Sequence, residues 1–257
     1  YTQIVNLADL GKKAAVIKGD GTGPELVDSM LHVLRSCNSQ TELILCEAGS
    51  EQWEKHGGTT YIPDSTMKLL EESNACYKGP TTTIPSPNAP RSVAVTIRQK
   101  FQLYNNIRPI KTYDRLSPNR KLDFVCLREA TEGLYSGIEF RISEDAAIAI
   151  RKTTRKGCQR IVNAAFVWAK QHNIKKIFPI TKRNILKETD GIFWSEVEKA
   201  MAQYPDIQVE EYYIDNMTQQ LVKNPERFNN SVLVSTNLFM DIISECASGS
   251  IGSIGKV

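Results

Sequence analysis

Lys13-Ala14-Ala15-Val16-Ile17-Lys18, then Gly19-Asp20-Gly21-Thr22-Gly23, then Pro24-Glu25 reads as a strand, a break and the opening of a helix. Proline suits a first helical turn because its missing N–H has no partner there, and a glutamate complements the positive helix end. The helix is expected to run to about Ser36. The same grammar recurs downstream. Strands are expected at Glu42–Cys46, Ala75–Lys78, Leu103–Lys111, Phe124–Arg128, Lys176–Ile180, Val209–Ile214 and Ser231–Ser235. Helices are expected at Ser65–Ser73, at Ser92–Phe101 with Ser92 as cap, at Asp190–Met201, Asn216–Val222 and Leu238–Ala247. The longest helical stretch is read as Ser143–Gln171, capped by Ser143, with Ile161, Ala164, Ala165 and Trp168 recurring at helical spacing. Alternation of this kind defines an α/β protein with substantial parallel pairing.

Punctuation separates these elements. Pro80, Pro85 and Pro87 disfavour regular structure over residues 79–87, which reads as a rigid loop. Asp114–Arg120 is polar and marks a plausible crossing between domains. The Gly- and Ser-rich tail from Ser248 to Gly255 reads as a loop. The Gly19–Gly23 turn matches neither dinucleotide nor Walker fingerprints, because the third glycine is misplaced, Pro24 follows, and no Gly-Lys-Ser/Thr occurs.

Composition excludes several classes. The 257-residue chain is 41% hydrophobic and 24% charged, ordinary for a soluble globular protein. It has no apolar run of about 18 residues, so no membrane span is expected. A net charge of +3 is too small to argue for nucleic acid. The six cysteines (Cys37, Cys46, Cys76, Cys126, Cys158, Cys246) form no C-x-x-C pair and read as reduced thiols in a cytosol-like or matrix-like compartment. Tyr1–Leu10 lacks the layout of a signal peptide.

Several side chains are candidates for chemistry. A polycarboxylate needs permanently charged planar donors that converge on it, and Arg98, Arg108 and Arg128 are candidates. Arg108 and Arg128 adjoin apolar strand residues, where an unpaired guanidinium is costly, so they are the stronger pair. Among the acids, Asp215 ends the expected strand, and Asp241 and Glu245 stand at i and i+4 on one helix face. Oxygen ligands of this kind suit Mg²⁺ or Mn²⁺. Lys182 at a strand end and Tyr135 are candidates for proton transfer. His32, His56 and His172 show no partner pattern and are treated as structural. For each of these residues taken alone, an ordinary surface or packing role is the simpler account.

Taken in order, the segments resemble the isocitrate/isopropylmalate dehydrogenase family, the β-decarboxylating dehydrogenases. The matching stretches are Gly19–Glu25, Asn106-Ile107-Arg108-Pro109, Arg128–Glu139, Lys182-Arg183-Asn184-Ile185, Asp215-Asn216 with Gln219-Gln220-Leu221, and Asn237–Ile254. The resemblance implies oxidation of a 2-hydroxy acid by NAD or NADP, then metal-assisted loss of the β-carboxylate; among these enzymes it is closest to the NAD type. Carried over, Ser92, Arg98, Arg108 and Arg128 would bind substrate, Tyr135 and Lys182 would handle protons, and Asp215, Asp241 and Glu245 would hold Mg²⁺ or Mn²⁺. Ser92 matches the serine that isocitrate enzymes place against the γ-carboxylate. No residue of this chain is assigned to the cofactor. In the family, Lys182 and Asp215 would act in a neighbouring subunit's site, which implies a homo- or hetero-oligomer.

The resemblance also implies a two-domain fold: a large domain over residues 1–110, incomplete with its C-terminal part missing, and a small domain over 111–257. Ala94, Ala130, Met240 and Glu245 depart from the family pattern. Two readings therefore stand: a NAD-dependent dehydrogenase of isocitrate or a related 2-hydroxy acid, and a non-catalytic structural or regulatory subunit of a larger assembly. The expected compartment is the mitochondrial matrix in a eukaryote and the cytoplasm otherwise.

Overall fold

The computed structural model describes residues 12–37, 39–86, 88–113 and 121–251. Both Asp114–Arg120 and Gly252–Gly255, read above as loops, lie outside the described residues, as does the Tyr1–Leu10 start. The chain divides into two compact units, Tyr1–Lys100 and Phe101–Val257. The boundary falls before residue 110 because the strand at Asn105–Lys111 pairs along its whole length with Asp123–Glu129 in the second unit's sheet.

In the first unit the elements are β1 (Lys13–Ile17), α1 (Gly23–Ser36), β2 (Glu42–Cys46), α2 (Ser50–His56), α3 (Asp64–Glu72), β3 (Ala75–Lys78) and α4 (Val93–Lys100). Strand β1 lies between β2 and β3, parallel to both. Val16 packs with Val27 and Leu31 of α1, so the strand–turn–helix opening forms its own small core. The short helix α2 was not expected from sequence: Ser-Glu-Gln-Trp-Glu-Lys-His carries a single apolar residue and no helical periodicity. Ser92 does cap α4, its Oγ accepting from Val95 N at 3.2 Å.

The second unit runs β4 (Asn105–Lys111), β5 (Asp123–Glu129), a 3₁₀ turn (Leu134–Ser136), β6 (Glu139–Arg141), β7 (Ala147–Ala149), α5 (Arg155–Gln171), β8 (Lys176–Thr181), α6 (Thr189–Gln203), β9 (Gln208–Val209), β10 (Tyr212–Tyr213), α7 (Ile214–Lys223), a second 3₁₀ turn (Pro225–Phe228), β11 (Val232–Ser235) and α8 (Asn237–Ser250). The sheet order is β10-β8-β11-β5-β4, with β9 also on β8. All pairings are parallel except β4 with β5. Alternate residues of β5 serve opposite faces. Phe124 and Cys126 face a core with Met240, Ile243 and Ala247 of α8, while Val125 and Leu127 face Ile161, Ala165 and Phe166 of α5. Covering on both faces explains why the strand is an uninterrupted apolar run.

Four expectations are corrected. The helix does not begin at Ser143: residues 139–149 form an antiparallel hairpin, and α5 starts after Thr154, whose hydroxyl accepts from Gly157 N at 3.1 Å. The isoleucines at 148 and 150 alternate with period two, a strand pattern that the helix-favouring Glu144-Asp145-Ala146-Ala147 obscured. The expected strand Val209–Ile214 is broken at Glu210-Glu211, where Glu211 turns to Thr181 Oγ1 at 2.6 Å and to Arg183. Asp215 does not end that strand but lies in the first turn of α7. Ser248–Ser250 continue α8 and are not loop. No helix among the described residues is long and apolar enough to cross a membrane.

Candidate active site

Strand pairing aligns the two arginines. Arg128 of β5 pairs with Asn106 of β4, and Arg108 pairs with Cys126, so both side chains project from the same sheet face as diagonal neighbours. Helix α8 packs on that face through Met240 and Ile243, which fixes Asp241 above the arginines.

Asp241 is the hub. Arg128 Nη1 donates to its Oδ1, Arg108 Nη2 stands 3.2 Å from the same oxygen, and Tyr135 donates its phenol to Oδ2 at 2.5 Å. Arg108 extends along α8, donating to Ser244 Oγ at 2.6 Å and to Glu245 Oε1 at 2.9 Å. Arg128 Nε donates to Asn237 Oδ1 at 2.9 Å, and its guanidinium lies 5.0 Å from the centre of the Tyr135 ring. Burial raises the Tyr135 phenol above its ordinary value, and the hydrogen bond and charge of Asp241 raise it further. The phenol is therefore favoured in its protonated form.

Sequence reasoning missed the acids that shape this loop. Glu129 is buried, and its carboxylate accepts from Thr131 N at 3.0 Å and Glu132 N at 2.9 Å. Glu132 accepts from Thr154 N at 2.8 Å. These two carboxylates fold Arg128–Tyr135 back on itself, which brings Tyr135 to Asp241. Their positions in Arg-Glu-Ala-Thr-Glu-Gly are visible in sequence, but nothing local says that they turn to main-chain N–H groups. Asn237 and Ser244 were also missed, since neither type stands out until a guanidinium faces it.

The remaining candidates fall elsewhere. Lys182 Nζ and Asp215 Oδ1 pair at 2.7 Å, and the Tyr213 ring lies 5.7 Å from the ammonium. Hydrogen bonding to Lys182 holds the Asp215 carboxyl below its ordinary value. Ser92 and Arg98 belong to the first unit, on α4 and its cap. In that unit the glycine-rich turn is a clasp: the buried Asp20 carboxylate accepts from Ser50 N at 3.1 Å, Glu51 N at 3.0 Å and Thr82 N at 2.6 Å.

Among the described residues, no three His, Cys, Asp or Glu side chains gather as a metal site within the chain. Asp241 and Glu245 nonetheless share one face of α8 and hold a common cation, the Arg108 guanidinium. Two hard oxygen donors on one face fit part of a Mg²⁺ or Mn²⁺ shell and leave room for a third carboxylate.

The family's sequence profile, isocitrate/isopropylmalate dehydrogenase, matches residues 13–257. The isocitrate dehydrogenase [NADP] of Rickettsia typhi is 36% identical over 241 residues, 92% of this chain and 49% of that protein. The 3-isopropylmalate dehydrogenase of Methanothermobacter thermautotrophicus is 36% identical over 246 residues, 95% of this chain and 71% of that one. The crystal structure of isocitrate dehydrogenase from Methylococcus capsulatus superposes with a TM-score of 0.89 at 39% identity, covering 95% of this chain and 72% of that one. The chain thus spans about half the length of the Rickettsia relative. It belongs to the isocitrate/isopropylmalate dehydrogenase family, and its α/β fold is that of the family.

Proposed function

We propose that this chain forms the substrate- and metal-holding part of an oxidoreductase that decarboxylates isocitrate with NAD as oxidant. The carrying observation is the convergence of Arg108, Arg128, Tyr135 and Asp241, which are far apart in sequence, on one carboxylate. Two guanidiniums bound to Asp241 are arranged as a polycarboxylate would require, and they have the planar forks to grip it bidentately. Tyr135, kept protonated, delivers a proton to the substrate carbon left after decarboxylation. Lys182 takes the hydroxyl proton in the site of a neighbouring copy, with Asp215 beside it. Asp241 and Glu245, with Asp215 of a second copy, would hold Mg²⁺ or Mn²⁺. The ion's chemistry when bound is Lewis-acid polarisation of the hydroxyl and of the developing enolate. The family resemblance assigns Ser92 and Arg98 to substrate carboxylates as well, and the hydroxyl at position 92 favours isocitrate over a substrate with an apolar arm.

The test is reduction of NAD by the purified chain with isocitrate and Mn²⁺, run beside NADP and 3-isopropylmalate, with calorimetric titration of isocitrate. Turnover with NAD and isocitrate supports the proposal. Turnover only with NADP or isopropylmalate corrects its cofactor or substrate. Isocitrate binding without turnover defines a metabolite-binding subunit, and absence of both overturns the reading.

A further inference from the structure

Outside the hub, one buried ion pair is tied to a candidate catalytic group. Asp190, in the first turn of α6, is 1% exposed, and its Oδ2 accepts from the main-chain N–H of Lys182 at 2.6 Å. Its other oxygen lies 2.7 Å from Arg151 Nη1 as an ion pair, without the alignment of a hydrogen bond. Arg151 reaches further: Nη1 donates to Thr189 Oγ1 at 3.1 Å, Nη2 donates to Thr236 Oγ1 at 2.8 Å, and the guanidinium lies 4.7 Å from the centre of the Phe239 ring. Thr236 directly precedes Asn237, the partner of Arg128 Nε, and Asp241 follows one turn later. One guanidinium therefore spans the start of the helix behind the Lys182 loop and the start of the helix that carries Asp241.

We propose that Arg151 and Asp190 are positioning residues, which lock the main chain of Lys182 and hold it at a fixed spacing from the Asn237–Asp241 turn. The physical argument is one of cost. Removing a carboxylate and a guanidinium from water is expensive, and well-packed apolar residues could hold two helix starts together without that penalty. What apolar residues cannot do is fix the direction of an N–H, and so the path of the Lys182 side chain. Groups that orient metal ligands are worth about tenfold to hundredfold in activity, and the lock on Lys182 is expected to act on the same scale. The proposal rests on the reading of Lys182 as a proton-handling group.

The experiment compares the full chain with Asp190→Asn, Arg151→Gln and Arg151→Lys. Hydrogen–deuterium exchange is read at Lys182–Leu186 and, as a control, along α5. Asp190→Asn is expected to speed exchange at the Lys182 amide by about tenfold or more while α5 stays unchanged. With isocitrate, Mn²⁺ and NAD, kcat is expected to fall by about tenfold to hundredfold in Asp190→Asn and in Arg151→Gln, with KM moving by less than about threefold. Arg151→Lys should fail to restore kcat, since one ammonium cannot reach all three partners; it also serves if Asp190→Asn does not fold. A merely structural pair would move KM, kcat and α5 exchange together, and that outcome overturns the proposal, as does unchanged exchange at Lys182. A wild-type chain without turnover sinks the catalytic reading, and the exchange measurement then decides the positioning claim by itself.

Discussion

Arg128 and Asp241, 113 positions apart in the chain, are joined by a hydrogen bond from the guanidinium to the carboxylate, with the Arg128 side chain only 3% exposed. Such a pair is stable only when both ends are fully engaged, because an unmatched buried charge is costly. Asn237 on Nε and the Tyr135 ring over the guanidinium meet that condition. The pair joins β5 to α8 and is also the proposed grip on substrate, so one substitution should test both roles.

Arg128→Lys keeps the charge but removes the fork. One ammonium cannot serve Asn237 and Asp241 in the directions that Nε and Nη1 do. Chemical denaturation should show a loss of about 1–3 kcal/mol. Titration with isocitrate and Mn²⁺ should show affinity lowered by about thirtyfold or more, equivalent to at least about 2 kcal/mol. Unchanged affinity in a folded variant would remove Arg128 from the proposed site.

Gly19 and Gly21 separate backbone strain from steric exclusion. Both have positive φ, +76° and +57°. A Cβ on Gly19 would fall 1.9 Å from the Pro80 carbonyl oxygen, whereas one on Gly21 meets nothing within 4 Å. Pro80 O is fixed there because it accepts from Asp20 N at 2.8 Å, and Asp20 in turn clasps the start of α2. Gly21→Ala should cost about 1–2 kcal/mol, the left-handed penalty alone. Gly19→Ala should cost on the order of 3 kcal/mol or more, because backbone must move. Equal melting temperatures for the two variants would contradict the close approach of the turn to Pro80.

Most strands of the two larger sheets were legible because buried parallel strands are apolar runs bounded by turn residues, as Phe124–Leu127 and Ala14–Ile17 are. The paired arginines were legible because guanidinium next to apolar sequence needs an explanation. What failed was the segment from Ser143 to Thr154, where local propensity and local pairing conflict. Ser143 is a plausible cap by type, but its Oγ accepts from Asp145 N in a turn, while Thr154 caps α5 and binds Glu132. The choice between two capping residues depends on a glutamate more than twenty positions earlier, which no local pattern reveals. Thr154→Ala should therefore cost about 1–2 kcal/mol and Ser143→Ala almost nothing. The reverse order in thermal unfolding would restore the longer helix.

Cys126 makes the pH dependence of stability a test of the core. It is fully buried on β5 against α8, and burial pushes its thiol up to about 12 from an ordinary 9.0, with Arg108 pulling slightly the other way. Its folded value lies above its unfolded value, so the stabilising contribution is complete below pH 9.0 and is lost as pH rises towards about 12. In that window the unfolded chain releases the proton and the folded chain keeps it, favouring unfolding by up to about 1.4 kcal/mol per pH unit for each such thiol. Cys158, also buried and pushed up to about 12, adds a second contribution of the same sign. Cys126→Ala creates a small cavity and should lower stability by about 1–2 kcal/mol near neutrality. Its alkaline decline should nevertheless be shallower, because one of the two thiols no longer titrates. Urea unfolding of both proteins at about pH 8, 9.5 and 10.5 reads the difference, which should shrink or reverse as pH rises. A gap that stays constant across that range would mean that the Cys126 thiol ionises as readily in the folded protein as in the unfolded chain, which the packing of β5 against α8 does not permit.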